Sequence, residues 1–167
     1  MRHWAFGWTH VPLGAPDVQS ASQSGPPSGS MTQLRALVTG ASSGIGATYA
    51  HALRARGERL ILVARRADRL ARMAEALGGE EWAVAFPLDL TEAGAAVDLQ
   101  ERVAGGGFAV DLLVNNAGLG HTAPFDEQPP AVVRAMLDVN VRAVVELTHA
   151  FLPRHEGAGP RGHRERG

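Results

Sequence analysis

The chain has 167 residues, enough for one domain, and its 45% hydrophobic content is ordinary for a globular protein. Its formal net charge is −1, so composition points to no nucleic-acid or membrane partner. The absence of Cys excludes disulfides and thiolate metal sites and fits a reducing, cytoplasmic compartment, and no apolar run is long enough to span a bilayer.

In chain order, Met1 to His10 mixes Trp4, Phe6 and Trp8 with Arg2, His3 and His10, unlike the apolar centre of a signal peptide. Gly14 to Ser30 is dominated by Gly, Pro, Ser, Ala and Gln, with almost nothing to bury. Residues 1–30 are therefore expected to be a disordered extension. Either Met31 is the true start and the upstream piece a gene-prediction artefact, or the extension is a real disordered tail; a small docking motif at Trp4 and Trp8 is a separate, minor reading.

From Leu34 on, apolar strand-like runs alternate with helix-length segments. The first strand, about 36–38, runs straight into a glycine-rich turn and a helix over 45–56 that Gly57 ends. Strand two is 59–64, and helix two is 68–77, ended by Gly78 and Gly79. Strand three is 82–86. Helix three is 92–103, with Thr91 near its N-cap and Gly105 to Gly107 after it. Strand four is 110–114. A long helix covers 130–151, with Pro129 and Pro130 at its first turn, where Pro is tolerated. This alternation predicts an α/β fold, a Rossmann-type doubly wound parallel sheet. Leu60-Ile61-Leu62-Val63 reads as a strand buried on both faces.

The glycine turn, Thr39-Gly40-Ala41-Ser42-Ser43-Gly44-Ile45-Gly46, has the strand–turn–helix context of a dinucleotide site. Gly40 permits the sharp exit from the strand. Gly44 lets the backbone approach a pyrophosphate, and Gly46 lets the helix pack close to the sheet. Phosphates there meet unpaired N–H groups and the positive end of the helix dipole. The same residues also fit an ordinary strand–turn–helix corner. Strand two ends in Val63-Ala64-Arg65-Arg66, without the acid that bonds the ribose hydroxyls of NAD. A guanidinium suits a 2′-phosphate, which favours NADP(H) over NAD(H). The alternative is that Arg65 and Arg66 are the solvated start of helix two, one of them neutralised by Asp68. Asp89, after strand three, fits either an acceptor for the adenine amino group or the acidic start of helix three, with Thr91 as its cap. Asn140 lies in an apolar helix stripe with Met136, Leu137, Val141, Val144 and Val145, where an amide must find partners. A buried Asn bonded to nearby backbone is the plain reading. His121 and His149 have no metal-site spacing and read as loop or surface residues.

The turn just quoted, together with Asn115-Asn116-Ala117-Gly118, resembles the short-chain dehydrogenase/reductase family over about residues 32–153. The resemblance implies an oxidoreductase that moves hydride between NADP(H) and a small-molecule carbonyl or alcohol substrate. It implies that Gly40, Ser42, Ser43, Ile45 and Gly46 contact the phosphates and ribose. Arg65 would take the 2′-phosphate, and Asp89 and Leu90 the adenine. Asn116, Ala117 and Gly118 would line the nicotinamide-side ribose, while Asn115 braces the central strands. Asn140 would distort its helix and hold a water in the proton relay, the one catalytic position expected within this chain. Intact relatives are implied to be homo-oligomers, and the strand order is implied to be 3-2-1-4.

The pattern departs from the family after Pro153. The family's proton relay uses a Ser and a Tyr-x-x-x-Lys pair, the Tyr as general acid or base and the Lys lowering its pKa. This chain has one Tyr, Tyr49, and no Lys. It is expected to be inactive in turnover, which leaves a non-catalytic nucleotide-binding or regulatory fragment as the alternative. A P-loop is excluded because it needs a Lys. Residues 154–167 have no apolar face and read as a disordered tail or as a shifted frame. One base of shift from His155 can spell a Met-Arg start and an Ile/Thr-Val-Asn/Ser-Val run, which resembles the approach to the family's fifth strand. With four strands, 110–114 is expected to be an exposed edge, and one face of the long helix to lack cover.

Overall fold

A computed structural model describes residues 34–152; the expectations for 1–30 and 154–167 lie outside the described residues. Four parallel strands form the sheet: β1 (Leu34–Thr39), β2 (Arg59–Ala64), β3 (Ala83–Pro87) and β4 (Ala109–Val114), in the order β3-β2-β1-β4. The helices between them are α1 (Gly44–Ala55), α2 (Ala67–Ala76) and α3 (Ala95–Gly105). After β4 come a short 3₁₀ turn (Phe125–Glu127), α4 (Pro130–Leu137), a π-helical turn (Asp138–Arg142) and α5 (Ala143–Phe151). The expected Rossmann-type topology and strand order are both present.

Side-chain alternation along the strands builds two cores, one on each face of the sheet. Ala36, Val38, Leu60 and Leu62 point to the face packed with Ala50 and Leu53 of α1 and Leu70 of α2. Leu37, Ile61 and Val63 point to the other face, against Leu99 and Val103 of α3 and Ala143 and Leu147 of α5. β2 is buried from Leu60 to Ala64, as its unbroken apolar run predicts. Burying each such Leu contributes about 1.5–3 kcal/mol.

Ladder register brings the strand C-termini to one edge: Thr39 lies opposite Val63, Ala64 opposite Pro87, and Val38 opposite Val114. The chain leaves β1 in opposite directions toward β2 and β4, so the crevice of a doubly wound sheet opens beyond these ends.

Helix three departs from the expectation. It starts at Ala95 behind Gly94, whose φ is +81°, and Thr91 does not cap it. Instead a separate turn forms first: Thr91 donates both its N–H and its Oγ1 to Asp89 Oδ1, each at 2.9 Å, and Glu92 N–H donates to Asp89 O at 3.2 Å. The long helix is not uniform either: the π-helical turn interrupts it at Asn140, the residue at which the resemblance implies a distortion.

Among the described residues β4 is an edge, with Asp111 and Leu112 exposed. Leu137, Val141 and Val145, spaced four apart, leave an uncovered apolar stripe on the α4–α5 rod, with Val145 64% exposed. Val145→Glu is accordingly expected to change stability by less than about 0.5 kcal/mol. Leu62→Ala, in the sealed core, is expected to cost about 2–5 kcal/mol. Urea unfolding of the two variants checks the contrast.

Candidate functional site

The crevice beyond the strand ends is a cleft of about 530 Å³. One wall is the glycine turn, where Gly40, Ser42, Ser43 and Ile45 face the space. Gly40 holds φ at +68°, and a Cβ there would lie 2.8 Å from Asn116 Nδ2. Gly46 lies beneath the turn, not on its surface: a Cβ there would meet Asn116 Nδ2 and come within 2.5 Å of the Gly40 carbonyl oxygen. Gly44, φ +60°, has open space around its Cβ position. The turn thus needs Gly40 for φ and contact, Gly44 for φ alone, and Gly46 for contact alone.

The N-terminus of α1 opens onto this wall without an internal cap. Ser43 occupies the N-cap position but makes no side-chain cap bond, and the first turn carries no acid. Its Oγ instead accepts a bond from Arg66 Nη2 at 3.2 Å. The first N–H groups of α1 and the dipole's positive end are therefore open to an anion.

Arg65 and Arg66 line the same end of the cleft, and both are exposed. Asp68, the candidate to neutralise one of them, pairs with Arg72 at 2.7 Å, and hydrogen bonding to Arg72 holds its carboxyl below the usual range. Among the described residues neither Arg65 nor Arg66 is in an ion pair. Sequence reasoning singled out Arg65 for a phosphate; the Arg66–Ser43 bond adds a second guanidinium reaching to the glycine turn.

Asp89 and Leu90 form the wall beyond β3. Asp89 is half-buried, its Oδ1 held by Thr91, and it precedes α3 rather than starting it.

Asn116, Ala117 and Gly118 line the wall beyond β4. Their positions are fixed by Thr39, a residue that sequence reasoning saw only as the start of the turn. Thr39 is 1% exposed. Its Oγ1 donates to Val114 O at 3.2 Å and accepts from the N–H groups of Asn116 and Ala117, each at 3.0 Å. Asn116 Nδ2 returns a bond to Thr39 O at 3.0 Å. The bonds joining the β1 and β4 ends come from Thr39 and Asn116. Asn115 reaches the other way, donating to Thr148 Oγ1 at 3.2 Å.

Asn140 lies on the π-helical turn and is exposed, not buried as the plain reading had it. Its Oδ1 accepts from Leu119 N at 2.9 Å and its Nδ2 donates to Leu119 O at 2.8 Å, a paired clamp on the loop after β4. Leu119 lines the cleft; Asn140 itself does not. A π-helical turn inside an α-helix is frequently found at a functional site. Tyr49 is on α1, 44% exposed. His121 and His149 are both exposed, and among the described residues no group of His, Asp or Glu could hold a metal.

A family profile for short chain dehydrogenase matches residues 35–163. The chain belongs to the short chain dehydrogenase family. It is 36% identical to a serine 3-dehydrogenase of Rhizobium radiobacter over 118 residues, 70% of this chain and 47% of the relative. Among solved structures, a metagenomic short-chain oxidoreductase in complex with NADP is 36% identical with a TM-score of 0.65, covering 75% of this chain and 57% of that one. An alcohol dehydrogenase from the archaeon Thermococcus sibiricus, complexed with 5-hydroxy-NADP, is 34% identical with a TM-score of 0.66, covering 71% and 52%. The chain spans about half the length of the curated relatives it matches. No helix among its described residues is long and apolar enough to cross a membrane.

Proposed function

We propose that this chain is the NADP(H)-binding part of a short-chain oxidoreductase that moves hydride between the nicotinamide and a carbonyl or alcohol substrate. The observation that carries the reading is the cationic end of the cleft. Two unpaired guanidiniums flank an uncapped helix N-terminus, and no carboxylate stands at the end of β2 to bond ribose hydroxyls. Two of the solved relatives carry NADP or an NADP derivative. In this reading Arg65 and Arg66 hold the 2′-phosphate, Ser42, Ser43, Gly44 and Ile45 the pyrophosphate, and Asp89 with Leu90 the adenine. Asn116, Ala117 and Gly118 face the nicotinamide-side ribose, and Asn140 holds the loop beside it and serves the proton relay. When bound, the cofactor supplies or accepts the hydride; the protein residues bind it, orient it and fix the loops around it. A cytoplasmic location belongs to the same reading, in keeping with the absence of Cys.

The chain's own composition favours a second reading for turnover. With no Lys and with Tyr49 on α1, the 167 residues contain no Tyr-x-x-x-Lys pair. Losing a positioned general acid costs about 10²–10⁴ in rate. This chain then binds cofactor without reducing substrate.

Fluorescence titration with NADPH and NADH tests both readings. NADPH is expected to bind at least about tenfold more tightly, since charge-assisted hydrogen bonds to the 2′-phosphate contribute about 1.5–3 kcal/mol each. The double variant Arg65→Ser/Arg66→Ser is expected to bring NADPH down to the affinity of NADH. Equal affinities in the unaltered chain would overturn the NADP(H) assignment. NADPH consumption above background with a panel of ketones would overturn the binding-only reading.

A further inference from the structure

The π-helical turn sends polar side chains to two different loops of the cleft. Asn140 holds Leu119 on the nicotinamide side. Arg142 turns to the loop after β3, where its Nη2 donates to Thr91 O at 2.9 Å and its Nη1 to Glu92 O at 3.3 Å. Its own helix fixes the guanidinium from behind: Nε donates to Asp138 Oδ1 at 2.9 Å and Nη1 to Glu146 Oε2 at 3.1 Å. Hydrogen bonding to Asp138, with Glu146 nearby, holds the Arg142 pKa above its ordinary value.

We propose that Arg142 is a positioning residue for the adenine end of the cleft, acting through the backbone of Thr91 and Glu92. The proposal rests on the cofactor-binding reading above. The path is continuous. Two carboxylates orient Arg142, which holds two backbone carbonyls. Thr91 then donates its N–H and hydroxyl to Asp89 Oδ1, and Asp89 and Leu90 line the cleft. Pairs four apart on a helix surface are ordinarily worth little. Here they serve a different end, because a guanidinium splayed between two acids presents its remaining N–H groups in a fixed plane. The loop needs such an anchor. Among the described residues no other side chain from outside the 89–94 loop is hydrogen-bonded to it. Because the anchor grips carbonyls, it does not depend on which side chains occupy 91 and 92. The π-helical turn thereby sets both ends of the cofactor cleft at once.

Amide hydrogen exchange of the full chain without nucleotide reads the clamp directly. In Arg142→Met, exchange at Thr91, Glu92 and Ala95 is expected to rise about tenfold, while Leu119 and Ala117 keep their protection. Asn140→Ala is expected to raise exchange at Leu119 and to leave Thr91, Glu92 and Ala95 protected. Affinity for 2′,5′-ADP is expected to fall about tenfold in Arg142→Met and to recover in part in Arg142→Lys, which keeps the charge but reaches fewer partners. An equal rise of exchange in both loops would reduce Arg142 to a general stabiliser and overturn the proposal. So would 2′,5′-ADP affinity unchanged in Arg142→Met. If the unaltered chain binds no 2′,5′-ADP, the cofactor reading falls, and the exchange pattern alone then upholds or overturns the clamp.

Discussion

Thr39→Val is expected to destabilise the chain by about 2 kcal/mol and to weaken NADPH binding at least tenfold. The substitution keeps shape and removes one hydroxyl at a site 1% exposed. The Ala117 N–H then loses its one partner among the described residues. Asn116 N–H keeps a bond to Val114 O at 3.1 Å and is only partly orphaned. A buried donor left unpaired costs about 1–3 kcal/mol, and filling the space with a methyl gives no room for water to replace the bond. Binding suffers together with stability because the loop released is the one that carries Asn116, Ala117 and Gly118. Thr39→Ser separates the two effects. It keeps the oxygen and loses a methyl group, so it is expected to cost about 0.8 kcal/mol and to leave binding nearly unchanged. Urea unfolding and NADPH titration of both variants check this; equal losses in the two would show that packing, not the hydroxyl, holds the junction.

The second large effect is at Gly46. A Cβ there would lie 2.5 Å from the Gly40 carbonyl oxygen, and the neighbour is backbone, which cannot swing away. Gly46→Ala is expected to push α1 off the strand end, at a cost of about 1–3 kcal/mol, and to abolish measurable NADPH binding. Gly44→Ala makes a different demand. Its Cβ position is open, so only the left-handed backbone is penalised, by about 1–2 kcal/mol. Its methyl would stand where a pyrophosphate approaches the turn, so binding falls while the Gly40–Asn116 contact is kept. Amide shifts of Asn116 distinguish the two: they move in Gly46→Ala and stay in Gly44→Ala.

Much of this was legible in the residues themselves. The unbroken apolar run of β2 announced a strand buried on both faces, and three glycines between a strand and a helix announced the turn, because both rest on local physics. What escaped depended on long-range competition. Thr91 reads as a helix cap, but it is held in a turn by Asp89 two residues earlier, and the helix begins only at Ala95. Asn115 and Asn116 are neighbours in sequence, and nothing in the spacing says which one turns to β1. The partner decides it, and the partner is Thr39. The π-helical turn was invisible to periodicity because the apolar residues continue through it. Arg142 has acids four residues away on either side, and that spacing carries no sign of its other partners. Its carbonyl acceptors, Thr91 and Glu92, lie 51 and 50 residues upstream. The exposed stripe along α4 and α5 accompanies a sheet that, among the described residues, has β4 at its margin.

The central claim is that the strand ends of this chain form an NADP(H) cleft. Mapping amide chemical shifts during titration with 2′,5′-ADP tests it most directly. The account predicts saturable changes at Gly40 to Gly46, at Arg65 and Arg66, and at Asp89 and Leu90, with β4 residues Asp111 and Leu112 unmoved. Saturable binding whose shifts lie elsewhere on the sheet, or no shifts at millimolar ligand, would contradict it.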